Sequence, residues 1–280
     1  MLTRVIFNQK GGVGKSSIAV NLAAISAHQG LRTLLIDLDP QCNATQYIIG
    51  DAATDIHPAH ITEPNIENFF SQTLQATSSP MPMMFAFPFG GMTGSRNQGL
   101  DHCIHTTRFD NLSLIPASPM LADILQPLES KHKIYKLKDG LNLLSQQFDR
   151  VYIDTPPAFN FFTLSALIAA DRVIVPFDCD IFSKRALQTL VQNILETRQD
   201  HNSDLLIEGI IVNQFDPRAN LPKEVVQTLV NEGYPVYETK LSPSIIMKQS
   251  HHQSLPLIYL DAKHKLTQQY AALYQEIESR

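Results

Sequence analysis

A chain of 280 residues with 44% hydrophobic content can fill the core of one large α/β domain or two small ones. Its formal net charge of -5 excludes a strong whole-protein attraction to nucleic acid or anionic lipid, so any such binding must come from a local patch. Cys42, Cys103 and Cys179 are far apart and show no CxxC or metal spacing, which predicts reduced thiols.

In chain order, short runs of Val, Ile and Leu predict strands at Thr3–Phe7, Thr33–Ile36, Leu112–Ile115, Val151–Ile153, Val173–Val175 and Ile207–Val212. Helical spacing predicts helices over Ser17–Gln29, Leu137–Phe148, Lys184–Arg198 and Pro222–Asn231. Strands alternating with helices predict an α/β fold: a mostly parallel, twisted sheet with helices on both faces. The strands are continuously apolar, which fits burial on both sides. With no linker and no internal repeat, the expectation is one domain over 1–280. No run approaches roughly eighteen apolar residues, and Met1–Phe7 is too short for a signal peptide, so the expected compartment is the cytoplasm.

The exception is 46–111, a long stretch of weak periodicity. Its part from Asn68 to Ser95 has no charged residue and carries four methionines and five phenylalanines. Two readings stand: a flexible insertion, or a surface that packs against a partner or a second subunit.

Strand Thr3–Phe7 leads into Asn8-Gln9-Lys10-Gly11-Gly12-Val13-Gly14-Lys15-Ser16-Ser17, and a helical run follows. Strand, glycine loop and helix are what a phosphate cradle requires. Glycines let N–H groups turn inward, and the helix N-terminus adds its positive dipole end. Residues Gln9 to Ser17 are the predicted nucleotide-binding loop, with Lys15 on the β- and γ-phosphates and Ser16 on Mg²⁺. Gln9 stands where the usual motif has its first glycine, and Lys10 is an added cation. Asp39 and Asp154 follow predicted strands, at the edge where open α/β sheets bind ligands. They are the predicted carboxylates for water activation and Mg²⁺.

Lys10–Ser16 resembles the deviant Walker A motif of the ParA/MinD family of dimerising ATPases. Asp37-Leu38-Asp39-Pro40-Gln41 looks like that family's switch I, and Asp154-Thr155-Pro156-Pro157 like its Walker B and switch II. Val212-Asn213-Gln214 resembles its base-contacting segment, and the landmarks favour the ParA partition branch. The resemblance implies an ATP- and Mg²⁺-dependent ATPase, weak alone and stimulated by a partner protein or cargo adaptor. It implies that ATP joins two subunits, with Lys10 reaching the partner's phosphates. Lys10, Lys15 and Asp39 are then the catalytic residues, with Ser16, Asp39 and Asp154 around the metal and Asn213 at the base. It further implies nonspecific DNA binding by the ATP dimer, placing the protein on the nucleoid while it positions DNA, a plasmid or a large assembly.

Pro243 and Ile246 stand where the family often has arginines on its DNA face. Lys184, Arg185 and Lys248 are the remaining basic residues expected there, and the run Lys131, Lys133, Lys136 and Lys138 is a further possibility. A MinD-like membrane switch is the alternative: Leu266, Tyr270, Leu273 and Ile277 share one helical face. Glu276 and Glu278 argue against membrane contact and for a core-packing helix. A nucleotide-binding scaffold without turnover, and a reductase resembling the nitrogenase iron protein, complete the readings.

Overall fold

The structure, a computed structural model, describes residues 1–50, 63–75, 99–131, 133–179 and 183–280. A seven-stranded sheet is built from β1 (Leu2–Ile6), β2 (Thr33–Asp37), β3 (His105–Thr106), β4 (Leu112–Ile115), β5 (Arg150–Asp154), β6 (Arg172–Asp178) and β7 (Leu206–Asn213). Their order is β3-β4-β2-β5-β1-β6-β7, parallel throughout except for β3 against β4. All six predicted strands are present. β3, two residues long, was not legible because so short a strand has no period.

Helices α1 (Lys15–His28), α2 (Asn43–Ile49), α9 (Ile245–His252), α10 (Leu257–Leu260) and α11 (Lys265–Glu278) contribute to one core layer. Helices α3 (Ile66–Gln75), α4 (Leu121–Lys131), α5 (Lys136–Leu143), α6 (Phe161–Ala169), α7 (Ser183–Asp200) and α8 (Asn220–Asn231) contribute to the other. Along β2, Leu34 and Ile36 enter the second layer while Leu35 enters the first, and Val151, Tyr152 and Ile153 alternate likewise along β5. Burial of both faces is why these strands read as unbroken apolar runs.

Predicted helix ends shift. The run Leu137–Phe148 stops at Leu143, and Phe148 is buried in the loop that follows. Within the stretch 46–111, the described segment 63–75 differs from both readings. Phe69 and Phe70 of α3 are buried, and the Phe70 ring meets Phe161 edge-on at 5.5 Å, so this part packs on its own chain. The remainder of the uncharged segment, 76–95, together with 51–62 and 96–98, lies outside the described residues, where neither reading is tested.

α11 is a core helix. Leu266, Tyr270, Leu273, Tyr274 and Ile277 are buried, which removes its apolar face from any membrane. Glu278 pairs with Arg4 at 2.6 Å and with Arg150. Glu276 accepts the N–H groups of Glu238 and Thr239 at 2.7 and 3.0 Å. Among the described residues, no helix is long and apolar enough to cross a membrane.

Candidate functional site

Parallel register assembles the site. Ile6 pairs with Asp154 and Asp37 with Asp154, so the carboxyl ends of β1, β5 and β2 are level. The glycine loop leaves β1 between neighbours β5 and β6, where the strand order reverses and open α/β sheets bind ligands.

The loop enters α1 through Gly14, at φ 91°, with no side chain capping the helix. That left-handed backbone favours glycine, and a Cβ on Gly14 would lie 2.5 Å from Asn213 Nδ2. Ile18 N–H reaches the Gly14 carbonyl at 2.9 Å, but the N–H groups at the head of α1 have no acceptor within the helix. Asn213 Nδ2 donates to the Val13 carbonyl at 2.9 Å, strapping the loop to the end of β7.

Lys15 is buried, and its Nζ donates to the Lys10 carbonyl at 3.1 Å. Burial lowers its pKa against the pull of Asp154 and Asp39. Asp154 is fully buried and takes the Thr155 N–H on Oδ1 at 3.1 Å, while Oδ2 has no hydrogen-bond partner. Burial first, then the charges of Asp37 and Asp39, push its pKa well up; Ser16 and Lys15 oppose this. Asp37 accepts the Asp39 N–H and both donors of Thr45, clasping β2 to α2, and burial still raises it to about 6. Asp39 is buried and accepts the Gln41 N–H at 2.9 Å.

An unpartnered carboxylate oxygen beside Ser16 and Lys15 fits a hydrated divalent cation, which prefers hard oxygen donors. The uncapped head of α1 fits phosphate.

Two cavities flank the loop. One, of about 480 Å³, includes Lys15, Ser16 and Asp39 in its wall, together with Gln41, Asn43 and Tyr47 of the β2–α2 region. The other, of about 510 Å³, is bounded by Asn213, Gln214, Pro243, Met247, Lys248 and Tyr270. Gly12, Gly14, Ser17 and His251 belong to both.

Most predicted site residues therefore converge. Gln9 and Val13 border neither cavity: the Gln9 amide oxygen takes a 3.5 Å contact from Asn193, and the Val13 side chain is wholly buried. Lys10 Nζ pairs within its own chain, with Asp178 at 2.7 Å. Asn213 spends its amide nitrogen on Val13 and its oxygen on the Gln214 N–H, and its side chain still borders the second cavity. Asp37, Tyr47 and His251 were not assigned site roles from sequence. Asp37 was visible within its motif, but nothing in the spacing signals a histidine 234 residues beyond the Ser17 it touches.

The basic residues divide. Arg185 on α7 and Lys248 on α9 are exposed, while the side chain of Lys184 lies outside the described part. Pro243 is exposed, but Ile246 is a core residue at 7% exposure, so an arginine is missing from only one outward position. The lysine run from Lys131 to Lys138 is only partly a solvated stripe: Lys133 is exposed, but two others turn to the chain. Lys131 bonds the Leu74 carbonyl, and Lys136 bonds Phe69 O with its ammonium 4.4 Å from the Phe69 ring. Burial lowers Lys136 to about 8. Cys42 and Cys103 are buried against the Pro40 and Asn65 carbonyls, poorly placed to ligate a cluster shared between subunits.

Strand, glycine loop and helix at a topological switch point, with buried carboxylates level beside the loop, define a P-loop nucleotide-binding protein. A family model described as an AAA domain matches residues 1–207. The chain is 31% identical over 279 residues to the chromosome partitioning protein ParA of Myxococcus xanthus, covering 98% of this chain and 87% of that protein. It is 28% identical over 274 residues to the sporulation initiation inhibitor protein Soj of Bacillus subtilis, covering 97% and 96%. Among solved structures it is similar to the cobyrinic acid a,c-diamide synthase of Mycobacterium smegmatis with bound ATP analog and magnesium, at TM-score 0.72 and 25% identity over 98% of this chain and 93% of that one. The chain belongs to the ParA/MinD family of P-loop ATPases.

Proposed function

We propose that this protein is an ATP-dependent dimerisation switch that hydrolyses ATP to position a cellular cargo, either DNA or a large assembly. Asp154 carries the nucleotide half of this reading. A fully buried carboxylate with one unpartnered oxygen is costly unless a cation joins it, and its neighbours are the P-loop Ser16 and Lys15. Mg-ATP, when bound, supplies the divalent charge and the phosphoanhydride to be cleaved.

Ser16 and Asp154 hold the metal side. Lys15 and the N–H groups at the head of α1 hold the phosphates, and Asp39, in the cavity wall beside them, orients the attacking water. Positioning and charge stabilisation of this kind are most of what phosphoryl transfer needs. Lys10 leaves Asp178 and reaches the phosphates of a second subunit, so that nucleotide state sets oligomeric state.

Near-full-length similarity to a chromosome partitioning protein supports cargo positioning. In this reading the ATP dimer binds DNA nonspecifically through Lys184, Arg185 and Lys248, and a partner protein or cargo adaptor stimulates hydrolysis.

The test is light scattering and phosphate release on the wild type and Lys15→Ala, with and without Mg-ATP. The expected result is a dimer and slow turnover in the wild type with Mg-ATP, and neither in the variant. A wild type that stays monomeric with Mg-ATP and releases no phosphate overturns the proposal.

A further inference from the structure

His251 is joined to the residue that follows the phosphate loop's Lys15-Ser16, although the two are 234 positions apart in the chain. Its Nε2 lies 2.9 Å from Ser17 Oγ, and Ser17 is the third residue of α1. The ring stands edge-on to Tyr47, with centroids 4.6 Å apart and planes at 83°. Ser17 is held from beneath. Its carbonyl accepts Asn21 Nδ2 at 2.8 Å; the same fully buried amide also donates to Tyr47 Oη at 3.1 Å and accepts the Leu257 N–H at 2.8 Å. Tyr47 Oη in turn bonds Ser250, the residue before His251. The pair is thus fixed from α1, α2, α9 and α10 together.

Its position relative to the cavities gives the pair a job. The first cavity holds Lys15, Ser16 and Asp39, the groups suited to the β- and γ-phosphates. The second holds Asn213 and Gln214 and has the room and apolar walls for a nucleoside. Ser17 and His251 belong to both, so a nucleotide spanning the two passes them with its α-phosphate and the start of its ribose.

We infer that His251 is a nucleotide-positioning residue that, with Ser17, forms the contact for the α-phosphate. This rests on the P-loop reading of the first cavity. Imidazole and hydroxyl hydrogen-bond one another at 2.9 Å, so a phosphate oxygen seated beside the pair accepts from both by replacing that bond. The α-phosphorus is prochiral, and a site that grips one of its two non-bridging oxygens distinguishes the two diastereomers in which sulfur replaces one or the other.

The experiment measures equilibrium binding, by calorimetry with Mg²⁺, of ATP and of the two ATPαS diastereomers. H251A and H251F are expected to bind Mg-ATP roughly tenfold more weakly than wild type, the size of one charge-assisted hydrogen bond. Both are expected to lose most of the wild type's preference between diastereomers. H251F keeps a ring against Tyr47, so a loss there is not a packing defect. H251Q, which retains an amide donor, is expected to recover part of both. In a Ser17→Ala background the His251 substitution is expected to cost much less, because the shared contact is already broken. Unchanged diastereomer preference in H251F, with Lys15→Ala still abolishing ATP binding, overturns this inference and leaves the P-loop reading intact. Wild-type protein that binds no Mg-ATP overturns both.

Discussion

Asp37 and Asp154 end adjacent parallel strands in register, and both carboxylates are fully buried. Asp37 is satisfied by the Asp39 N–H and by Thr45, whereas Asp154 keeps one oxygen unpartnered. One acid therefore builds the site, and the other waits for charge.

Asp154→Asn removes one of two like charges from this pair. Without nucleotide the variant is expected to be more stable, by about 2–4 °C in Tm for each kcal/mol relieved, yet to bind Mg-ATP poorly. The pH dependence has a definite sign. Asp37 rises from its ordinary 3.8 to about 6 and Asp154 rises well above 3.8, so the folded state holds more protons than the unfolded one over that interval. These groups thus lower stability as pH rises from about 4 toward 6, and Asp154→Asn should flatten that slope. Thermal melts from pH 4 to 7 measure it. A steeper slope in the variant contradicts the assignment.

Asp39→Ala should retain ATP binding and lose hydrolysis, because Asp39 borders the phosphate cavity while Lys15 and the head of α1 supply the binding. Size-exclusion chromatography with Mg-ATP should then show a persistent dimer. A monomer with normal turnover would remove Asp39 from its role.

Lys10→Ala separates nucleotide binding from association. The Lys10–Asp178 pair is about a third exposed, so its loss should cost roughly 1 kcal/mol or less of stability. Nucleotide should still bind the monomer through Lys15, and ATP-dependent dimers should not form. Complete loss of nucleotide binding would mean that Lys10 acts on its own subunit's phosphates.

DNA retention should require ATP and fall steeply with salt, since a chain of net charge -5 needs a composite patch. Each neutralised phosphate contributes roughly -0.9 to the log–log slope. Charge reversal at Arg185 and Lys248, both exposed, should abolish retention by the Asp39→Ala dimer without dissolving it. If the Asp39→Ala dimer with Arg185 and Lys248 intact fails to hold duplex DNA at about 50 mM salt, nonspecific DNA binding is ruled out.

Arg4→Ala breaks a network that locks α11 to the sheet. Arg4 is 2% exposed and forks onto Glu208 at 2.8 and 3.0 Å while reaching Glu278 at 2.6 Å. Leaving the buried Glu208 without this partner should cost about 3–5 kcal/mol by chemical denaturation. A cost below about 1 kcal/mol would show that water or Arg150 replaces it.

The sequence by itself determined what is local. The strand–glycine loop–helix of 3–29, the acids closing β2 and β5, and the six main strands were legible because each depends on period or neighbouring residues. α11 was readable as core because its polar face carries Glu276 and Glu278 where a membrane helix wants cations. Tertiary structure alone decided which side chains meet. Only parallel register sets Asp37 beside Asp154, and only the fold of α9 against α1 carries His251 to Ser17. It also decided that Lys136 binds Phe69 rather than solvent, and that Ile246 faces the core. Such pairings join residues tens to hundreds of positions apart. Their partners are chosen by packing against the sheet, which no local pattern encodes.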